Sequence, residues 1–152
     1  MEEAKKEDIG LLFKNITDRI RSSADRSFAA FGLTGTQVQY LAYLTQCGGS
    51  ATQRSLEERF DVSHPTVIGI VSRLREKGFV SVTMDERDRR SRIVSLTQKA
   101  HDVDESLGRG RKQMDQRLVE GFSEEEKEQL RAYLLRILDN AAMQEEREGE
   151  KS

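Results

Sequence analysis

The densest chemistry in the chain lies in eight residues, "DERDRRSR", Asp85 to Arg92. Arg87, Arg89, Arg90 and Arg92 are interleaved with Asp85, Glu86 and Asp88, so only Ser91 lacks an ionisable side chain. A loop of one charge sign would repel itself. The mixture predicts that Asp85 and Asp88 brace the loop by pairing with some arginines while at least one other arginine projects outward. A projecting guanidinium suits a narrow groove of enhanced negative potential, such as the minor groove of duplex DNA. Taken alone, the same run reads equally as a solvated hairpin whose surface ion pairs are worth about 0–1 kcal/mol each.

A second group of residues lies upstream, in "SHPTVIGIVSRLREKG". Ser63 is placed to cap a helix, and Pro65 falls in its first turn, where a missing N–H is no loss. Val67, Ile70, Val71 and Leu74 share one face at 100° per residue, and Gly78 ends the helix. The opposite face carries Pro65, Gly69 and Ser72, flanked by Thr66 and Arg73 on one side and Ile68 on the other. An exposed helix usually displays long charged residues, whereas this half-helix is small, polar or apolar, shaped for close approach. On a major groove, Thr66 would bond to a base or phosphate and Arg73 would reach a phosphate or a guanine. The positive end of the helix, at Ser63 and His64, favours phosphate. His64 reads equally as a donor to DNA and as an exposed polar residue.

Other elements must hold these two groups. Ile9, Leu12, Phe13, Ile16, Ile20, Ala24, Phe28 and Phe31 recur at helical steps, which predicts one amphipathic helix over residues 8–31, stopped by Gly32. Thr34 with Gln37 forms a capping box for a second helix that Gly48 and Gly49 end. Thr52 caps a short third helix, and "FDVS" turns the chain into the Ser63 helix, a helix-turn-helix pattern. "FVSVTM" and "IVSL" predict two strands flanking the charged loop. Thr97 caps a long helix interrupted in propensity by Gly108 and Gly110. Ser123 and Glu126 form a capping box for a last helix with the stripe Leu130, Tyr133, Leu134, Ile137, Leu138 and Ala141. The tail "QEEREGEKS" is expected to fray.

The fold class predicted is mainly α with a small β-wing: a winged helix-turn-helix over residues 34–96, with a helical dimerisation region formed by residues 1–33 and 97–152. The apolar stripes of the first and last helices exceed what a winged domain of some sixty residues covers. Association of two copies, or an intramolecular three-helix bundle, would bury them.

Composition bounds the function. At 152 residues and 34% charged, the chain suits one modest core with many wet helix faces. The net charge of −2 alone argues against nucleic acid, but it is segregated: residues 53–96 hold nine bases to seven acids, residues 123–152 five bases to nine acids. "MEEAKKEDIG" carries no apolar leader core, and no run approaches a membrane span, so a cytoplasmic location without membrane association is expected. Cys47 is a single thiol without a CxxC partner or basic neighbour, read as a structural or incidental thiol in preference to a peroxide sensor. Two distant histidines, no metal-ligand cluster and no phosphate-cradling glycine loop give no nucleophile–base pair. An enzyme is therefore not expected, nor any cofactor. The rival reading is a winged helix that binds another protein and not DNA.

The run "SHPTVIGIVSRLREKGFVSVTMDERDRRSRIVSLT", residues 63–97, resembles the DNA-binding half of the multiple antibiotic resistance regulator (MarR) family of bacterial transcription factors. The family's wing pattern, Asp-x-Arg-Asp-x-Arg followed by apolar residues and Leu-Thr, is met by Asp85, Arg87, Asp88, Arg90, Leu96 and Thr97. The similarity in helix order extends to about residue 143. It implies a homodimer gripping a pseudo-palindromic operator in double-stranded DNA, most often as a repressor. By that match Arg90 is the minor-groove residue, with Arg89 beside it and Arg87 either joining them or fastening the wing. Ile68–Gly69 departs from a family position that is often polar or basic. Regulators similar to it bind small phenolic or drug-like effectors between the dimer helices and the winged domain. Tyr40, Tyr43, Phe13 and Phe31 are candidates for such a cleft, although aromatic residues at these spacings are more often core, and no ligand-binding residue is assigned.

Overall fold

The computed structural model describes residues 8–149. The chain divides into two compact units, Met1–Lys112 and Gln113–Ser152. Residues 1–7, on which the expectation of no leader rests, lie outside the described residues.

In the first unit, α1 (Ile9–Ala29), α2 (Gly35–Gln46), α3 (Gln53–Phe60) and α4 (His64–Glu76) precede the two strands expected from the sequence. The caps read from sequence form at α2 and α3. Thr34 Oγ1 accepts the Gln37 N–H at 3.2 Å while Gln37 Oε1 accepts the Thr34 N–H at 3.2 Å, satisfying two otherwise orphaned donors of α2. Thr52 Oγ1 accepts the Ser55 N–H at 3.1 Å.

The wing is larger than the sequence predicts. Strand β1 (Ser50–Thr52) joins β2 (Val80–Met84) and β3 (Arg92–Leu96) in an antiparallel sheet ordered β1-β3-β2. Gly48 and Gly49, at φ of 79° and 106°, turn the chain back so that Ser50 pairs with Ser95. Three residues are too few to show alternation, so β1 has no legible signal of its own.

The core lies under the wing and the helix-turn-helix. Leu56, Val67, Leu74 and Val94 are fully buried, joined by Tyr40, Leu44 and Phe79. Each such apolar side chain contributes about 1.5–3 kcal/mol on leaving water. Tyr40 stacks on Phe60 with ring centroids 4.2 Å apart, and Tyr43 meets the same ring edge-on at 5.9 Å. Leu33, Ala100 and Val103 belong to the same cluster, so the core takes in the chain just after α1 and the first turns of the following helix, α5 (Gln98–Leu118). Gly108 and Gly110 do not interrupt α5.

In the second unit, α6 (Glu124–Gly149) starts at the expected box: Ser123 N–H donates to Glu126 Oε2 at 2.8 Å and Glu126 N–H to Ser123 Oγ at 3.2 Å. Its backbone stays helical to Gly149, past the point where fraying was expected. Gln, Glu and Arg are good helix formers, and their propensity outweighs the absent apolar stripe. Residues 150–152 lie outside the described residues.

Candidate nucleic-acid interface

Helix α4 is clamped from beneath by Val67, Val71 and Leu74, all buried to within 2%. Ile70 is half-buried against the same core, and of the remaining residues from Ser63 through Arg73 all are exposed except the half-buried Ser72. Ser63 occupies the N-cap position but caps no backbone N–H. Its Oγ lies 2.9 Å from Thr66 Oγ1 instead, and His64 Nδ1 is hydrogen-bonded to Glu57 of α3. The first-turn N–H groups of α4 thus lack a side-chain cap, leaving donors at the positive end of the helix dipole for an anion.

Pro65, Thr66, Gly69 and Arg73 come together in one open groove of about 560 Å³, whose far wall is the start of α2 at Thr34 and Thr36. Sequence reasoning placed the first four and missed the two threonines. The capping box at Thr34 located the helix start, but nothing local says that this start faces α4. Ser63, His64, Ile68 and Ser72 lie on α4 outside the lining of that groove.

The wing loop, Asp85 to Ser91, is braced differently from the expectation. Asp85 and Asp88 pair with no guanidinium group among the described residues. Asp85 Oδ1 accepts the Arg87 N–H at 2.9 Å and Asp88 Oδ1 accepts the Arg90 N–H at 3.0 Å, so each carboxylate closes a turn on the backbone two residues ahead. The Ser91 N–H donates to the Asp88 carbonyl at 2.8 Å, and Asp85 N–H to the Ser91 carbonyl at 3.1 Å. A short carboxylate reaches its own loop backbone at far less entropic cost than it reaches the end of a mobile arginine. Arg87, Arg89 and Arg90 form no ion pair among the described residues and are exposed. Arg92 is the exception, with Nη1 donating to the Arg89 carbonyl at 3.1 Å.

The far end of α4 is pinned by lysines. Lys77 Nζ donates to Gln37 Oε1 at 3.0 Å and to the Gly32 carbonyl, joining the end of α4 to the α1–α2 corner. From α5, Lys99 Nζ donates to the Lys77 carbonyl and the preceding Thr97 hydroxyl to the Gly78 carbonyl, each at 2.7 Å. Gly78 sits at φ 81°, a conformation open to glycine at little cost, and this lets the chain leave α4 directly into β2.

A small apolar cavity of about 70 Å³ lies between α1, α2 and α5, lined by Phe28, Leu41, Val103 and Leu107 with Asp104 and Arg111 among its walls. Of the aromatic residues considered for a cleft, Tyr40 is core, Tyr43 packs on Phe60, and Phe13 and Phe31 lie along and just beyond α1. Burial holds the Tyr40 phenol above its ordinary pKa, and the neighbouring Cys47 thiol raises Tyr43. Cys47 itself is exposed. Among the described residues no group of three His, Cys, Asp or Glu is arranged to hold a metal ion, and no helix is long and apolar enough to cross a membrane.

Known proteins share this arrangement. A sequence profile of the MarR family matches residues 31–91, the stretch from the end of α1 through the wing loop. The chain is 32% identical over 124 residues to the transcriptional activatory protein BadR of Rhodopseudomonas palustris, covering 80% of this chain and 71% of that one. It is 29% identical over 144 residues to the HTH-type transcriptional repressor MdtR of Bacillus subtilis, covering 95% and 92% of the two chains. Its fold superimposes on the Staphylococcus aureus MepR–DNA complex with a TM-score of 0.74 at 29% identity, over 87% of this chain and 98% of that one. With the helix order, the three-stranded wing and these likenesses in agreement, the chain belongs to the MarR family of winged-helix transcriptional regulators.

Proposed function

We propose that the chain regulates transcription as a homodimer that binds a pseudo-palindromic site in double-stranded DNA, acts as a repressor, and is released by a small phenolic or drug-like effector. The observation that carries the DNA assignment is the wing. Its two aspartates accept backbone N–H groups of their own loop, and Arg87, Arg89 and Arg90 stand without an acid partner among the described residues at the end of a two-stranded arm. In this reading Arg90 and Arg89 enter a minor groove, Arg87 joins them or holds the wing, and α4 lies in the adjacent major groove. Ser63, His64, Pro65, Thr66, Ile68, Gly69, Ser72 and Arg73 form the contacting surface of α4. Named relatives of the chain are regulators, in keeping with a role other than catalysis.

Residues 34–96 are the DNA-binding part in this proposal, and residues 1–33 with 97–152 the dimerisation part. Support comes from apolar side chains left in water by the single chain: Ile9, Leu12 and Ile16 on α1, and Leu134, Leu135 and Leu138 on α6. Such stripes are covered most economically by a second copy.

The cavity between α1, α2 and α5 is the proposed effector site. At about 70 Å³ it is far smaller than the ~300 Å³ or more that a drug-sized ligand fills. An effector must therefore bind a more open arrangement of these helices, and that differential affinity shifts the population away from the DNA-competent form.

Selection of bound sequences from random duplex DNA, followed by titration across salt concentrations, tests the proposal. A two-fold dimer predicts a palindromic consensus, and counterion release predicts affinity falling about a thousandfold between about 50 and 200 mM salt. A winged helix that binds only proteins would yield no consensus and no such slope.

A further inference from the structure

The outer face of α4 holds one feature that its fold does not require. Ile68 is 43% exposed, while Val67, Val71 and Leu74 on the same helix are buried to within 2% and supply the packing. A β-branched residue lowers helix propensity, and an apolar one in water gains nothing from the core. Elsewhere on a surface a single exposed isoleucine would need no explanation. Here it stands in the second turn of the reading helix, within the N-terminal stretch whose side chains reach base edges.

Its neighbours sharpen the point. Two polar contacts at this end stay within the protein: Ser63 Oγ lies 2.9 Å from Thr66 Oγ1, and His64 Nδ1 is hydrogen-bonded to Glu57. Gly69, next to Ile68, has open space where a side chain would project, with no heavy atom within 4 Å of a Cβ built there. The face thus offers an exposed branched hydrocarbon beside a glycine with open space over it. Among the groups that base pairs present in the major groove, one is apolar: the C5 methyl of thymine.

We infer that Ile68 is a specificity-determining residue that recognises the C5 methyl group of a thymine in the bound sequence. The inference rests on the duplex-DNA reading above. Burying one methyl group corresponds to about a fourfold gain in affinity for each thymine contacted.

The experiment uses the full-length protein and its selected duplex, with each thymine replaced in turn by deoxyuridine, which keeps every hydrogen bond and removes only the methyl. The parent protein should lose about fourfold at one position in each half-site. Ile68→Ala should be indifferent to uridine there, while its thermal unfolding matches the parent because the position is exposed. Uridine tolerated at every position overturns the assignment, as does an Ile68→Ala variant that remains as sensitive as the parent. A parent that selects no sequence at all overturns this assignment together with the DNA reading beneath it.

Discussion

Asp88 holds the wing tip by accepting the backbone N–H of Arg90 at 3.0 Å, leaving the Arg90 side chain with no acid to pair with among the described residues. Shape and charge are thereby separated: the carboxylate sets the turn, and the guanidinium two residues on stays available. A direct Asp88–Arg90 ion pair would have neutralised the group that the loop presents.

Arg90→Ala should lower affinity for the selected duplex about tenfold or more, on the order of 1–3 kcal/mol, and reduce the salt slope by about one. The side chain is exposed and makes no packing contact that folding needs, so stability should stay within about 0.5 kcal/mol of the parent. Gel-shift titration at several salt concentrations, beside a urea melt, checks both; equal affinities would remove Arg90 from the interface.

Asp88→Ala and Asp88→Asn should differ. Alanine removes the acceptor that closes the turn, and DNA affinity should fall several-fold through a loosened loop. Asparagine keeps an acceptor oxygen and discards a negative charge, so it should bind DNA at least as well as the parent. Equal losses in the two variants would show that the charge of Asp88, not the turn it forms, is what matters.

Lys77→Met should cost about 1–2 kcal/mol of stability, since it leaves the Gly32 carbonyl without its lysine donor and removes one of the two donors to Gln37 Oε1. Combined with Gln37→Ala, the loss should be smaller than the two single losses together by about 0.5 kcal/mol or more, because the pair shares one hydrogen bond. Urea denaturation with an unchanged m-value is the measurement. Strict additivity would mean that the contact contributes nothing in solution.

Leu138→Glu tests the dimer. Leu138 is 65% exposed in the single chain, so a glutamate there should leave folding of the monomer intact while burying a charge in any α6 interface. Sedimentation should show the parent as a dimer and the variant largely as monomer at micromolar concentration. If both sediment alike as dimers, α6 does not form the contact through this residue.

Much of this molecule was readable from residues close together in the chain. Thr34 with Gln37 and Ser123 with Glu126 announce helix starts because a cap needs partners only three residues apart. The buried face of α4 follows from the 3.6-residue period, which placed Val67, Val71 and Leu74 together. The wing was legible because its arginines and acids are concentrated within eight residues.

Which group meets which was decided by the folded chain. No local rule pairs Lys77 with Gly32, 45 residues away, or sets Thr34 and Thr36 across a groove from Arg73. Strand β1 exists because β3 lies beside it, and Asp85 and Asp88 bond to backbone and not to guanidinium because the loop's own geometry put those donors nearest. Periodicity and capping are properties of a few consecutive residues and survive in the sequence as pattern. A hydrogen bond between distant residues depends on where packing brings two surfaces together, and that is set by the whole core at once.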